Sequence, residues 1–168
     1  MNAFDLVKQC RKMLSNLDSW IGMAVENAAA RSYDPNHLVT ARLAPDMFTF
    51  AQQVQSGCDA AKYLAAYLTG TKAPSHPDTE TTIAELRARI AACGAYLDGF
   101  KAEDFDGAAD RKVSPPWLGG KWVRGEDYAL QAGFPNFLFH MTTAYAILRH
   151  NGVPLGKQFY IGSLPVQS

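Results

Sequence analysis

Four stretches of this chain carry apolar residues at alternating steps of three and four, and that spacing restricts the fold more than any other feature. The first runs from about Asn2 to Arg31, with Val7, Cys10, Leu14, Leu17, Ile21, Ala24 and Ala28 on one stripe. Lys8, Arg11, Lys12 and Asp18 lie off it, as expected for an amphipathic helix. Asn2 can cap its start, and Ser32-Tyr33-Asp34-Pro35 stops it. A connector with room for one helical turn follows. Ala44-Pro45-Asp46 then reads as the entry to a second helix ending near Thr69, with Met47, Phe50, Val54, Gly57 or Cys58, Ala61, Leu64 and Leu68 as its stripe. Gly70 stands where a C-terminal glycine is favoured. The third helix carries Ile83, Leu86, Ile90, Cys93, Leu97 and Phe100, and Thr79 or Thr81 is expected to cap it. The fourth begins at Gly125-Glu126-Asp127, is expected to kink or break at Pro135, and has its main piece from Asn136 to His150. Asn151-Gly152-Val153-Pro154 ends it. The turn-rich insertion between helices three and four offers Lys112-Val113 and Lys121-Trp122-Val123 as the arms of a short hairpin.

Four such helices in one chain of 168 residues predict a single all-α domain, residues 1–168, folded as an antiparallel four-helix bundle. With 48% hydrophobic residues, the chain can fill one core. Its formal net charge is zero, which gives no basic excess for nucleic acid and little self-repulsion against association. Phe134, Phe137, Leu138, Phe139, Met141, Tyr145, Ile147 and Leu148 leave the fourth helix little polar surface, so it is either central or an interface, and a homodimer is expected. No apolar run approaches a membrane span, and the N-terminal residues do not form a secretory signal, so the expected location is cytoplasmic. Cys10, Cys58 and Cys93 form no CxxC pair and fall in the apolar patterns, so they read as buried small hydrophobes rather than redox or catalytic thiols.

Chemistry concentrates on His140, a lone imidazole in the middle of the apolar fourth helix. Asn136 stands four residues earlier on the same face, in the spacing of an H-x-x-x-H metal pair with one histidine replaced. A buried histidine satisfied by hydrogen bonds is the simpler reading of the same residue. On the second helix, Asp46 and Gln53 flank the stripe and are expected to face inward, whereas Gln52, Gln55 and Asp59 are expected at the solvent edge. Arg42 and Asp46 form a candidate surface pair, worth little energetically. His37, His76 and His150 fall in loops or at a helix end and read as solvated, and Trp117 and Trp122 as a lid, a dimer contact or a surface cluster covering the bundle end. No Walker loop, G-x-G-x-x-G or H-E-x-x-H occurs.

Several segments carry a family resemblance: Ala41-Arg42-Leu43-Ala44-Pro45-Asp46-Met47-Phe48, Gly125-Glu126-Asp127-Tyr128, Pro135-Asn136-Phe137, and His140 with the run Thr142 to Lys157. Together they resemble an uncharacterised bacterial family, a domain of unknown function grouped with the DinB/YfiT-like metalloenzymes. The resemblance spans nearly the whole chain. It implies a DinB-like four-helix bundle, often dimeric. In that superfamily one histidine on the second helix and an H-x-x-x-H pair on the fourth hold a divalent metal, zinc or nickel. Carried onto this sequence, His140 takes the second position of the pair, Asn136 the first, and Gln53 falls near the second-helix ligand. Only His140 remains as a metal-ligand candidate, so the expectation is a degenerate metal site that binds a small molecule through His140, Asn136, Gln53 and Asp46. The alternative is a metal- or thiol-dependent transferase or hydrolase working on a small molecule in the same pocket.

Overall fold

A computed structural model describes residues 2–167. Helix α1 spans Ala3–Ala30, and the Asn2 side chain accepts a hydrogen bond from the Phe4 amide at 3.0 Å, as the cap reading expects. Every residue of the predicted stripe is buried, together with Met13 and Trp20. The chain turns through a short 3-10 segment, Pro35–Leu38, before helix α2, Phe50–Thr69.

The start of α2 corrects the expected entry at Ala44-Pro45-Asp46. Thr49 caps the helix instead: its hydroxyl accepts from the Gln52 amide at 3.2 Å, and the Gln52 side chain accepts from the Thr49 amide at 2.9 Å. This reciprocal box satisfies two donors that a helix end leaves orphaned, which Pro45 cannot do. Residues 44–47 form turns that fold back so that Arg42 bridges to Thr49. Arg42 donates to the Met47 carbonyl rather than pairing with Asp46. At the other end Gly70 adopts φ +75°, the left-handed stop expected there.

Helix α3, Ile83–Asp98, is capped by Thr82 with Glu85 in a second reciprocal box, correcting Thr79 or Thr81 as the cap. The insertion that follows holds a small antiparallel hairpin, β1 Lys112–Val113 with β2 Val123–Arg124, in the register Lys112 to Arg124 and Val113 to Val123. Its second arm lies later in the chain than expected and excludes Trp122. A 3-10 turn, Pro116–Leu118, carries Trp117 at the tip.

Helix α4, Gly125–Tyr128, passes into a π-helical turn, Ala129–Gly133, and on into α5, Phe134–His150. The backbone stays right-handed helical at Tyr128, Ala129, Gly133 and Phe134, so the three pieces form one rod. The expected break at Pro135 is therefore a wide turn just before it. Proline offers no amide to the i−4 carbonyl, and a π turn is a common way for a helix to absorb such a mismatch. A last short helix, α6 Lys157–Ile161, lies in the tail that showed no period. It straps the bundle by main-chain acceptors: Trp20 Nε1 donates to the Phe159 carbonyl at 2.9 Å, and Asn16 Nδ2 to the Tyr160 carbonyl at 3.0 Å.

The long helices form one bundle in which α1 and α2 each pack against both α3 and α5. The core runs unbroken through all four. Gly57 of α2 faces α5, where a side chain would stand 3.7 Å from His140 Cβ and 3.6 Å from Met141 Sδ. Its small size lets the two backbones approach closely at the level of His140. Among the described residues no helix is long and apolar enough to cross a membrane.

Candidate functional site

The α2–α5 seam brings His140 onto Gln53. His140 Nδ1 and Gln53 Oε1 lie 2.8 Å apart, and both residues are buried. An amide oxygen only accepts, so Nδ1 carries the proton and donates, which leaves Nε2 as the acceptor. Burial pushes the His140 pKa below the ordinary histidine value, favouring the neutral ring. Two aromatic neighbours fix its plane: Phe48 lies parallel to it, with centroids 6.5 Å apart, and Phe139 meets it edge-on at 5.4 Å.

His140 forms part of the wall of a groove of about 540 Å³. Asn136, one turn earlier on α5 and exposed, lines the same groove. From α2 come Ser56, Asp59, Ala60, Tyr63 and Tyr67, spaced to share one helix face. Tyr128 closes one side, and the insertion contributes Pro116 and Trp117, the latter 67% exposed at the rim. Tyr67 meets Tyr63 in a stack at 5.9 Å and Tyr128 edge-on at 5.4 Å. Thus the structure joins Gln53 to His140 directly and places Asn136 beside it. Asp46 sits on the exposed turn before α2 and lines no part of this groove, contrary to its expected inward position.

Behind the groove lies an ion network that corrects three sequence expectations. Asp59, Gln55 and His76 are not solvated edge residues. Asp59 Oδ1 receives Lys62 Nζ at 2.7 Å and the Arg89 guanidinium at 2.6 Å. Arg89 also reaches Asp78 at 3.0 Å and Glu80 at 3.2 Å, and Gln55 donates to Glu80 at 2.9 Å. Lys62 Nζ donates to His76 Nδ1 at 3.0 Å. Only 1% of either the Lys62 or the Arg89 side chain is exposed. Burial, then the Arg89 and Lys62 cations, lowers the His76 pKa. Burial would raise the Glu80 pKa, but hydrogen bonds from its own backbone amide and from Gln55, with the Arg89 charge, pull it down. A second groove of about 510 Å³, lined by Arg42, Phe48, Gln52, Asp78 and Glu80, shares Ser56 and Asp59 with the first.

All three cysteines are buried, as expected. Cys93 donates to the Cys58 carbonyl at 3.2 Å between α2 and α3, and burial pushes the Cys10 thiol far up. The Cys10 thiol is therefore a poor nucleophile.

The residues at the implied metal position do not fit a transition metal. One imidazole and two carboxamides stand there, and the Gln53 oxygen is already bonded to His140. Among the described residues no three His, Cys, Asp or Glu side chains converge as a metal cluster. Zinc and its neighbours take thiolate, imidazole and carboxylate ligands, and a neutral amide oxygen is a weak substitute.

The sequence reads Trp117 as a lid or surface residue and Asp59 as a solvent-edge one, while Ser56, Tyr63 and Tyr67 escape it, although with Asp59 they make a second stripe beside the apolar one. Comparison with known proteins bears on the whole constellation. Residues 5–161 match the domain of unknown function DUF1993. The chain also matches the crystal structure of a DinB family member protein from Shewanella denitrificans at a TM-score of 0.94. That match has 46% sequence identity and covers 98% of this chain and 94% of that one. Among curated proteins none matches. With a family match over nearly its full length and a DinB structure of the same architecture, the chain belongs to the DUF1993 family of DinB-like bundles.

Proposed function

We propose that this protein is a small-molecule-binding bundle whose ligand lies in the groove walled by His140, at a metal position that has lost its ligands. The observation that carries the proposal is the 2.8 Å bond between Gln53 and His140, which fixes the imidazole in one tautomer and leaves its second nitrogen for a ligand. Gln53 and Asn136 stand where the superfamily has metal-binding imidazoles; their amides are poor metal ligands, and Asn136, on the groove wall, suits hydrogen bonding to an organic molecule. A ligand-observed NMR screen of small fragments on untagged protein tests this. Hits that weaken in His140→Phe and Asn136→Leu support it, and hits indifferent to both overturn it. Metal analysis of the same preparation tests the degenerate site. Substoichiometric zinc and nickel are expected, and one metal per chain bound through His140 would contradict it.

A second reading, a transferase or hydrolase, is favoured by one property of the same residue. A neutral imidazole with an accepting nitrogen at a groove wall is competent as a general base. A thiol-dependent reaction would draw its thiol from a co-substrate, since the chain's own cysteines are buried. His140-dependent consumption of a groove ligand distinguishes this reading from binding alone. The proposal also includes a homodimer through exposed apolar residues of the α4–α5 rod, where Leu130 is 50% and Phe139 54% exposed.

A further inference from the structure

We propose that the His140 groove selects a small organic ammonium, with Asp59 as the anchor for its N–H donors and the tyrosine and tryptophan rings as the bed for its charge. The inference rests on the groove reading above and adds the ligand class.

The groove wall contains one carboxylate and no lysine or arginine. That carboxylate is built into place. Asp59 Oδ1 is held by Lys62 at 2.7 Å and by Arg89 at 2.6 Å, both buried behind it. Among the described residues Oδ2 has no partner, and the side chain is 30% exposed, toward the two grooves that share it. Asp78 and Glu80, which share Arg89, line the neighbouring groove, so Asp59 is the one charged group that the His140 groove presents. An anion entering the groove finds a carboxylate and no lining cation, whereas an ammonium gains a charge-assisted hydrogen bond at Oδ2. His140 donates from Nδ1 to Gln53, so its Nε2 is a second acceptor on the same wall. Two acceptors call for a donor-bearing ligand.

The rings point the same way. Tyr63, Tyr67, Tyr128 and Trp117 line this groove, and aromatic faces attract cations. Tyr63 already carries a cation in the protein itself, with Lys62 Nζ 5.2 Å from its ring centroid. The apolar part of an aralkyl ammonium would stack on the remaining rings and its nitrogen would reach Asp59.

The test uses three probes of one size and shape: benzylammonium, benzyl alcohol and benzoate. They are titrated into the full chain at pH 7.5 and low salt. The Trp117 indole resonance, assigned with Trp117→Phe, reports groove occupancy by ¹H–¹⁵N NMR. Benzylammonium is expected to bind at least about tenfold more tightly than benzoate, the value of one charge-assisted contact. Asp59→Asn should reduce that preference to about twofold or less while preserving side-chain shape. Trp117→Leu, at an exposed position, should weaken benzylammonium about two- to fivefold without touching the core. If Asp59→Asn does not fold, Trp117→Leu and Tyr63→Leu carry the test through loss of benzylammonium affinity. Benzoate binding as well as benzylammonium, or an unchanged preference in folded Asp59→Asn, overturns the ammonium assignment but leaves a binding groove. Silence from all three probes also overturns it, and the wider fragment screen then decides separately whether the groove binds anything.

Discussion

At the scale of single residues, the bond from His140 to Gln53 is the contact on which the site depends. Gln53→Leu removes the acceptor and leaves a buried ring N–H unpaired. The expected cost is about 1–3 kcal/mol in urea unfolding, and a cost near zero would mean the bond is not formed in solution. Acid should act through the histidines. Both His140 and His76 have folded pKa values lowered from 6.5, each chiefly by burial. The unfolded chain therefore takes up protons first, so stability is fully present above about pH 6.5 and declines as pH falls through the lowered folded values. His76 contributes further because its protonation removes the lone pair that accepts from Lys62. Unfolding measured at pH 7.5 and 5.5 should show this loss, and the double variant His76→Asn, His140→Gln should largely abolish it. His140 was legible in the sequence because an imidazole amid apolar residues stands out, Asn136 by its four-residue spacing from it, and Gln53 by its place beside the α2 stripe and the family resemblance. Asp59, Gln55 and His76 were not, because their partners Arg89, Glu80 and Lys62 come from elsewhere in the sequence and only the fold brings them together.

At the scale of elements, apolar periodicity identified the four long helical regions, while side-chain hydrogen bonds decided where α2 and α3 begin. The Thr49–Gln52 and Thr82–Glu85 boxes were present in the sequence as T-x-x-Q and T-x-x-E, yet Pro45 and the neighbouring threonines competed with them. Thr49→Ala is expected to destabilise the protein by about 0.5–2 kcal/mol, whereas Asp46→Ala on the exposed turn should stay within about 0.5 kcal/mol. Equal effects in thermal melts would contradict the corrected start of α2. The π turn and α6 had no period to reveal them. The first is one wide turn within a continuous rod, and the second is held by carbonyls that accept from Trp20 and Asn16 rather than by a stripe of its own. Gly125 is fixed by a close approach, since a side chain there would overlap the Ala108 carbonyl. Gly125→Ala should cost about 1–3 kcal/mol through that clash, displacing the insertion that carries Trp117.

At the scale of the whole molecule, the bundle positions a neutral imidazole braced from behind by Gln53, one amide, one anchored carboxylate and several aromatic rings around one open groove between α2, α5 and the insertion. The ion network behind it ties α2 to α3 and to the loop between them. Arg89→Met would leave Asp59, Asp78 and Glu80 with Lys62 as their only buried cation. A loss of about 3 kcal/mol is expected, at the low end for a broken buried pair because Asp78 is half exposed. The outer face of α5 belongs to this scale too. Light scattering should give a dimer that Phe139→Glu dissociates, and a strict monomer at high concentration would contradict the dimer proposal. The groove itself is tested most directly by the imidazole nitrogens of His140. In a long-range ¹H–¹⁵N histidine spectrum of untagged protein at pH 7.5, the account expects a neutral His140 ring protonated at Nδ1. The Nε2 resonance should be that of an unprotonated acceptor and should move when a groove-binding fragment is added. An imidazolium, a proton on Nε2, a metal-bound nitrogen, or an Nε2 resonance unmoved by saturating fragment would contradict it.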